Sequence, residues 1–414
     1  MGEGAGRRAE RRVPPRRRAG LYGARMSEPT SLPPGLAGRL DELLADADAA
    51  LAARRPVAVE RQPVHTVYVP ADRLSRDTSE RWGAAAREAL RAHATGPETL
   101  GVESEVWDRL LRKLADSPIE DLRIDFEDGY GDRGDAEEDA HARRAGELLG
   151  DMTPTHGTGL RIKSLDAATR GRALRTLDVL LSACGRVPAG FVVTVAKVRG
   201  PAEVLAAREL LAAVDAAVPG EPLRFEVQIE TPEAVARIDE IVAVAGPRCA
   251  GLHYGTYDYS AALGVAAAHQ SLDHPVADHA KATMQVAAAT VGLRVVDGSS
   301  NVLPVGDGEA VRTAWSMHMR LVERSMRQGI YQGWDLHPGQ LVSRYAAAFS
   351  FYREGFAVAA ARLRDYQARV SGGVLDEPAT ARALAGYLRR GLDCGALDAA
   401  EVTASAGADW SRLD

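Results

Sequence analysis

The sequence predicts an α/β fold, a closed (β/α)8 TIM barrel with extra N- and C-terminal helices, from three observations. Short apolar strand patterns alternate with helix patterns, which is typical of parallel strands joined by crossover helices. The strand count is eight, which favours a barrel over an open doubly wound sheet. Charged residues follow the strands directly, where the mouth of a barrel would lie. The predicted strands cover residues 66–69, 122–126, 160–163, 191–197, 225–229, 252–254, 293–296 and 331–336.

Helix patterns fill the intervals and both ends of the chain. The first connection holds two helices, and two further helices follow the last strand, more than barrel closure requires. Residues 26–60 are therefore a predicted N-terminal helical segment, 61–345 the catalytic barrel and 346–414 a C-terminal helical extension, with residues 401–414 expected to be frayed. The predicted helices cover residues 36–55, 79–94, 103–115, 167–183, 202–217, 232–244, 276–291, 310–328, 341–370 and 377–392.

The first 25 residues differ from the rest in composition. They carry eight arginines against Glu3 and Glu10, so the remaining residues of this −6 chain carry a net charge of −12. A segment of this kind cannot build a core. We predict a disordered basic extension, with Met26 as the physiological start. The acidic remainder disfavours nucleic acid as a partner.

Composition excludes other classes of protein. Hydrophobic residues make up 46% of the chain and charged residues 26%, which is typical of a globular protein. No apolar run approaches the roughly 18–20 residues that a membrane span needs, so we predict no membrane partner. The cysteines, Cys184, Cys249 and Cys394, form no CxxC pair. They indicate free thiols in a reducing compartment and predict a cytoplasmic protein.

Two carboxylates stand out at predicted strand ends. Glu230 ends the strand in Arg-Phe-Glu-Val-Gln-Ile-Glu, and Asp258 follows the next strand in Gly-Thr-Tyr-Asp. In a parallel barrel both would lie at one mouth. Mg²⁺ typically takes one or two protein carboxylates and completes its shell with water and substrate oxygens. The alternative for each residue alone is a helix cap or a turn, but together they predict a magnesium site.

The second and third strands add charges of both signs. Strand two ends in Asp125, Glu127 and Asp128, which repel one another unless cations lie among them. Strand three carries Arg161, whose planar fork suits a substrate carboxylate. A salt bridge from Arg161 to Asp125 or Glu127 is the competing interpretation, and the two roles are compatible.

Three later strand ends also carry polar residues. Lys197 after strand four would be either a Schiff-base nucleophile or, as we favour, a cation that orients the acidic cluster. Asp297 begins a polar turn suited to substrate oxygens. His337 precedes Pro338, which restricts it to extended geometry, so it is expected to shape the rim.

These fragments together resemble the HpcH/HpaI aldolase and citrate lyase beta-subunit family. The resemblance spans residues 64–344, and its order is specific although each fragment alone is weak. It rests on Tyr68-Val69-Pro70-Ala71, Asp125-Phe126-Glu127-Asp128, Arg161-Ile162-Lys163, Ala196-Lys197-Val198, Ile229-Glu230-Thr231, Gly255-Thr256-Tyr257-Asp258 and His337-Pro338-Gly339-Gln340.

The resemblance implies roles for several residues. Glu230 and Asp258 would hold Mg²⁺, with Mn²⁺ as an alternative, and Arg161 would grip the substrate carboxylate. Related aldolases have histidine at the position of Asp128, so the resemblance favours the malyl-CoA lyase-like branch. The long first connection and the Tyr-rich Gly255-Thr256-Tyr257-Asp258-Tyr259 depart from a citrate lyase subunit and indicate a divergent subgroup. We assign substrate contacts also to Gly255, Thr256 and Asp297, supporting roles to Asp125, Glu127 and His337, and catalytic roles to Arg161, Asp128 and Lys197.

The predicted activity is a Mg²⁺-dependent carbon–carbon lyase, or aldolase, acting next to the carbonyl of a 2-oxo or 2-hydroxy acid. The substrate is either the free acid or its coenzyme A thioester, because the charges after strand one are mixed. Three candidates remain for the general base: Asp128, Asp297 and a residue of a neighbouring subunit. The last is a candidate because the resemblance implies a trimeric or hexameric homo-oligomer. The alternatives are hydrolysis of an acyl-CoA thioester, as in a malyl-CoA thioesterase, and a non-catalytic metabolite-binding barrel.

Overall fold

The computed structural model describes residues 33, 35–53, 61–151, 157–368 and 377–413. The predicted basic extension, residues 1–25, lies outside them. The chain divides into two units, residues 1–53 and 54–414. The first contains helix α1, Leu36–Ala53, close to the predicted span. The predicted domain boundaries after residues 60 and 345 stay predictions.

The second unit contains eight parallel strands in the order β7-β6-β5-β4-β3-β2-β1-β8. Two backbone hydrogen bonds join the segment that directly follows β7 to β8 and the residue before it: the Asp297 N–H donates to the Gln332 carbonyl over 2.8 Å, and the Trp334 N–H donates to the Gly298 carbonyl over 3.2 Å. They close the sheet, so the predicted (β/α)8 barrel is confirmed, and each predicted strand overlaps an observed one. The strands are β1 His65–Pro70, β2 Asp121–Asp125, β3 Gly157–Ile162, β4 Val192–Val195, β5 Arg224–Ile229, β6 Cys249–Tyr254, β7 Arg294–Val296 and β8 Gly333–Asp335.

Helices follow the strands, and the first connection contains two of them, as predicted. The helix predicted over residues 232–244 is divided at Arg237 into two shorter ones. The helices of the second unit are α2 Thr78–His93, α3 Ser104–Asp116, α4 Asp135–Asp151, α5 Arg170–Cys184, α6 Pro201–Ala217, α7 Pro232–Ala236, α8 Ile238–Ala245, α9 Thr256–Ala262, α10 Pro275–Val291, α11 Gly308–Arg327, α12 Gln340–Gln367, α13 Pro378–Cys394 and α14 Ala399–Ala406.

The C-terminal helices build a hydrophobic cluster of their own beside the barrel core. The expectation of a frayed end was wrong for residues 401–413, the part of it that the structure describes. Helix α14 begins with a capping box between Asp398 and Glu401, which satisfies two N-terminal backbone donors. Trp410 is buried in the cluster, with the Arg389 guanidinium 5.0 Å from its ring centroid. Apolar burial therefore orders residues whose sequence pattern is weak.

None of the helices in the described ranges is both long and apolar enough to cross a membrane. Cys184, Cys249 and Cys394 are buried free thiols, as expected.

Candidate active site

Glu230 and Asp258 come together at the mouth of the barrel. Glu230 directly follows β5, and Asp258 lies in the first turn of α9, just after β6. Both line a cavity of about 250 Å³. Gly255, which directly precedes α9, lets the backbone at this point approach Glu230 closely. A Cβ atom at position 255 would lie 2.4 Å from Glu230 Cβ. The predicted convergence of these two side chains is therefore present in the structure.

The Glu230 carboxylate is buried, and little positive charge surrounds it. The Lys197 backbone N–H donates to Oε1 over 2.7 Å, and the Gln228 amide donates to Oε2. Burial raises the pKa of Glu230 to about 7, helped by the negative charges of Glu127 and Asp258 and opposed by Arg161. A carboxylate in this setting gains from a nearby cation.

Arg161 is held by a buried ion pair with Asp125. Its Nε donates to Asp125 Oδ1 over 2.6 Å and its Nη2 to Oδ2 over 2.7 Å. The guanidinium carbon also lies 4.6 Å from the ring centroid of Tyr68. The competing interpretation of a structural salt bridge is thus realised. Arg161 still lines the cavity, and its Nη1 is only 3.4 Å from Glu127 Oε2.

Lys197 places its ammonium group among three carboxylates. Nζ lies 2.7 Å from Glu127 Oε1, 2.9 Å from Asp128 Oδ1 and 3.1 Å from Asp258 Oδ2. Burial disfavours the charge, but the contacts with Glu127 and Asp128 outweigh it and raise the pKa of Lys197. Schiff-base formation needs the neutral amine, which a raised pKa disfavours at neutral pH. The structure therefore favours its interpretation as a cation that orients the acidic cluster.

Glu127 and Asp128 respond differently to the same lysine. Burial raises the pKa of Glu127, and the positive charge of Arg161 opposes this only in part. Burial also acts to raise the pKa of Asp128, but its contacts with Lys197 prevail and lower it. Asp128 lines the cavity and its side chain is 59% exposed, so it is ionised and within reach of a ligand.

The other predicted residues divide into two groups. Gly255 and Thr256 line the cavity. Asp297 is not among the lining residues: its Oδ2 pairs with Lys281 Nζ at 3.2 Å in a buried contact. His337 also lies outside the lining. Its Nδ1 accepts from the Gly339 N–H over 3.1 Å, which fits a rim-shaping role. Burial lowers the pKa of His337.

Several residues that line the cavity had no predicted site role. Tyr68 and Trp334 form an aromatic wall, with ring centroids 4.8 Å apart. Gln228 lies on β5 two residues before Glu230, and the alternation of a strand places both on one side. The sequence did contain a signal for a site role of Gln228, because a polar residue at this position interrupts the apolar pattern of the strand. The lining residues without an assigned site role include Tyr68, Gln228, Tyr257, Ser299 and Trp334.

Residues 44–414 match the model of one protein family, described as "Domain of unknown function (DUF6986)". The chain belongs to the DUF6986 family. No curated protein has a sequence that matches this DUF6986 chain.

Solved structures resemble the DUF6986 protein at low sequence identity. A citrate lyase from Burkholderia xenovorans is 21% identical with a TM-score of 0.55, covering 86% of this chain and 99% of that one. CitE from Mycobacterium tuberculosis, in complex with magnesium, acetoacetate and coenzyme A, is 20% identical with a TM-score of 0.49, covering 81% and 98%. RipC from Yersinia pestis is 19% identical with a TM-score of 0.44, covering 69% and 94%. The likeness to the citrate lyase shows a shared fold.

The cavity of the DUF6986 protein suits a magnesium ion with few protein ligands. Across the described residues there is no group of three or more His, Cys, Asp or Glu side chains that could hold a metal ion. Glu230 and Asp258 supply two carboxylates, which meets the usual protein share of a Mg²⁺ shell. Gln228 Oε1 is buried and has no hydrogen-bond partner in the described part of the chain. An unsatisfied oxygen beside Glu230 fits a site completed by a cation and its water.

Proposed function

We propose that this DUF6986 protein is a Mg²⁺-dependent carbon–carbon lyase that acts next to the carbonyl of a 2-oxo or 2-hydroxy acid. One observation carries the proposal. Glu230 is buried at the mouth beside Asp258, and its surroundings raise its pKa to about 7. Such a carboxylate is poorly neutralised by the protein alone. The fold shared with a citrate lyase supports the proposal.

Glu230 and Asp258 are the residues that would hold the metal. When bound, Mg²⁺ supplies Lewis-acid polarisation of a substrate carbonyl. Gln228 and the Lys197 N–H hold the two Glu230 oxygens by hydrogen bonds. They therefore fix the orientation of this carboxylate before any ligand arrives.

Arg161 would bind the substrate carboxylate. Asp125 fixes one edge of the guanidinium, and the Tyr68 ring fixes its plane. Nη1 is not bound by Asp125, and its ion-pair contact with Glu127 Oε2 is long, at 3.4 Å. Arg161 lines the cavity. We assign Nη1 as the donor to the substrate. A guanidinium held in advance in this way positions a ligand without reorganising.

Asp128 would move the proton. It lines the cavity, and Lys197 keeps it ionised. In the cleavage direction Asp128 takes the proton of the substrate hydroxyl. The carbon–carbon bond then breaks as the hydroxyl carbon becomes a carbonyl, and the electron pair passes to the other fragment as an enolate. Proton return to that enolate completes the reaction. Asp297 is paired with Lys281 away from the cavity lining, so we leave it out of this step.

The size of the cavity restricts the reacting part of the substrate. About 250 Å³ accommodates a small acid such as glyoxylate, pyruvate or oxaloacetate. Arg73, an exposed residue of the first connection, also lines the cavity. A coenzyme A thioester would have to extend past the mouth. Whether the substrate is such a thioester or a free acid is a question for the assay.

The test is a release assay for aldehyde or keto acid, with and without Mg²⁺, on the full chain. The panel contains malyl-CoA, citramalyl-CoA, citryl-CoA and free 4-hydroxy-2-oxo acids. We expect Mg²⁺-dependent release that falls at least ~100-fold in Glu230→Gln because a metal ligand is lost. Glu233→Gln is the matched control, since Glu233 is exposed on α7 and does not line the cavity.

Three other outcomes would change the assignment. Free coenzyme A with intact malate and no glyoxylate would identify a thioester hydrolase. Full turnover by Glu230→Gln without metal would contradict the metal site. No release from any substrate, together with no binding of Mg²⁺ or Mn²⁺, would favour a non-catalytic barrel.

A further inference from the structure

Lys197 has an unusual backbone conformation. Its φ is 53°, and no other non-glycine residue in the described ranges has a positive φ. This conformation is unfavourable for a residue with a side chain, so the surroundings must hold it in place. One of these contacts is the hydrogen bond from the Lys197 N–H to Glu230 Oε1. The strained turn therefore directs the Lys197 N–H toward Glu230, one of the two candidate metal ligands.

The side chain of Lys197 contacts the other candidate ligand. Its ammonium group lies 3.1 Å from Asp258 Oδ2. This distance is that of an ion pair, but Asp258 Oδ2 is buried without a well-formed hydrogen bond to any described residue. The contacts of Nζ with Glu127 and Asp128 are shorter, 2.7 and 2.9 Å. The Asp258 contact is thus the weakest of the three.

The ammonium group also has another direction in which to move. Lys197, Glu127 and Asp128 line a second cavity of about 870 Å³, and neither Asp258 nor Glu230 lines it. Asp128 lines both cavities. The lysine side chain is 32% exposed, so it is not locked by packing. It can release Asp258 and keep its two stronger partners.

We propose that the Lys197 ammonium competes with the divalent metal for Asp258, and shifts onto Glu127 and Asp128 when the metal binds. This inference rests on the metal site of the proposed function. In the metal-free protein the lysine lies against Asp258 and reduces the repulsion between Asp258 and the other carboxylates of the mouth. Metal binding must displace that charge, which lowers the affinity for the metal. Lys197 is then a positioning residue that sets how tightly the metal is held.

The experiment is a titration of the full chain with Mn²⁺, with free Mn²⁺ measured by electron paramagnetic resonance. Lys197→Met removes the competing charge, and we expect the dissociation constant for Mn²⁺ to fall by about tenfold, ~1.4 kcal/mol. Lys197→Gly keeps the backbone N–H, relieves the positive φ and should show the same gain. It also guards against a Lys197→Met variant that fails to fold.

Two further variants test the competition from other directions. Arg199→Met removes a charge two residues away, where Arg199 pairs with Glu203 on the exposed surface, and should leave the dissociation constant unchanged. Asp128→Asn removes a partner that draws the ammonium away from Asp258, and should weaken Mn²⁺ binding.

The outcomes separate this inference from the proposed function. If the unaltered protein binds Mn²⁺, Glu230→Gln abolishes binding, and the Lys197 variants bind no more tightly, the competition is refuted while the metal site stands. If neither the unaltered protein nor any Lys197 variant binds Mn²⁺, both fail. Tighter binding by both Lys197 variants, with Arg199→Met unchanged, supports the competition.

Discussion

Buried charges lie at two levels inside the barrel, and the two levels differ in how those charges are paired. Toward the N-terminal ends of the strands, Arg123 bonds to Asp121 at 2.6 Å and to both oxygens of Glu226 at 2.9 Å. His253 Nε2 lies 2.9 Å from the same Glu226. Burial acts to raise the pKa of Glu226, but Arg123 and then His253 prevail and lower it. The charges of this inner level are balanced by the protein itself.

At the mouth the balance differs. Five carboxylates meet there, and among the described side chains four of them, all but Glu230, form ion pairs with Arg161 or Lys197. The pKa values of Glu127 and Glu230 are raised rather than lowered. The carboxylates are Asp125, Glu127, Asp128, Glu230 and Asp258.

The inner level has the pairing of structural charges, and the mouth has that of a candidate functional site. Both levels are buried and use the same residue types, so burial alone does not separate them. What separates them is the missing positive charge at the mouth, which a metal ion or a substrate would compensate. Perturbed carboxylates in a cavity are typical of functional sites, whereas the inner network is satisfied without a ligand.

The largest expected effect comes from breaking the inner level. Arg123→Met leaves Asp121 and Glu226 buried without their shared partner. We expect the free energy of unfolding to fall by about 3–5 kcal/mol, measured by urea denaturation. Arg199→Met, which breaks an exposed pair, should change it by less than ~1 kcal/mol. Equal effects of the two variants would contradict the idea that the inner network is structural.

The second prediction concerns pH and a buried histidine on α11. Burial lowers the pKa of His318 to about 4, helped by Arg344 and opposed by Asp335. Because the folded-state pKa lies below the ordinary value of 6.5, this group stabilises the fold above pH 6.5. That contribution is lost as the pH falls from 6.5 toward 4.

We expect His318→Gln to remove this pH dependence. Between pH 7 and 4.5, the unaltered protein should lose about 2–3 kcal/mol more of its unfolding free energy than the variant. Urea denaturation of both proteins at the two pH values measures this difference in the loss of unfolding free energy. The contributions of titratable groups that both proteins share cancel in it. Parallel losses in the two proteins would show that His318 does not titrate in this range.

The smallest expected effect is at the mouth, on Arg161. In Arg161→Lys a point charge replaces the fork that holds both oxygens of Asp125. We expect KM to rise and kcat to fall, lowering kcat/KM by about tenfold, ~1.4 kcal/mol. Steady-state kinetics on the substrate found by the release assay measures this, with Arg199→Met as control. An unchanged kcat/KM would refute the carboxylate-binding role.

Much of the mouth could be predicted from the sequence because strand ends are marked locally. Glu230 and Asp258 follow apolar strands, and parallel strands bring their ends together. The aromatic wall of Tyr68 and Trp334 gave no comparable signal, since buried aromatic residues are common in any core. Asp297 also follows a strand, but its partner Lys281 lies on α10 and directs it away from the cavity lining.

The sequence by itself determined the barrel, the order of its elements and the charged residues at its mouth, because alternating apolar patterns and strand ends are local properties of the chain. The sequence left Asp125 and Glu127 both open as partners of Arg161, and only the tertiary structure decided that Asp125 takes the two short hydrogen bonds. Arg161 meets Asp125 across 36 positions, and Lys197 meets Asp128 across 69. Such pairings depend on distances of a few ångströms between neighbouring strands, which no local pattern specifies. The same holds for the positive φ of Lys197, which its contacts across the mouth maintain.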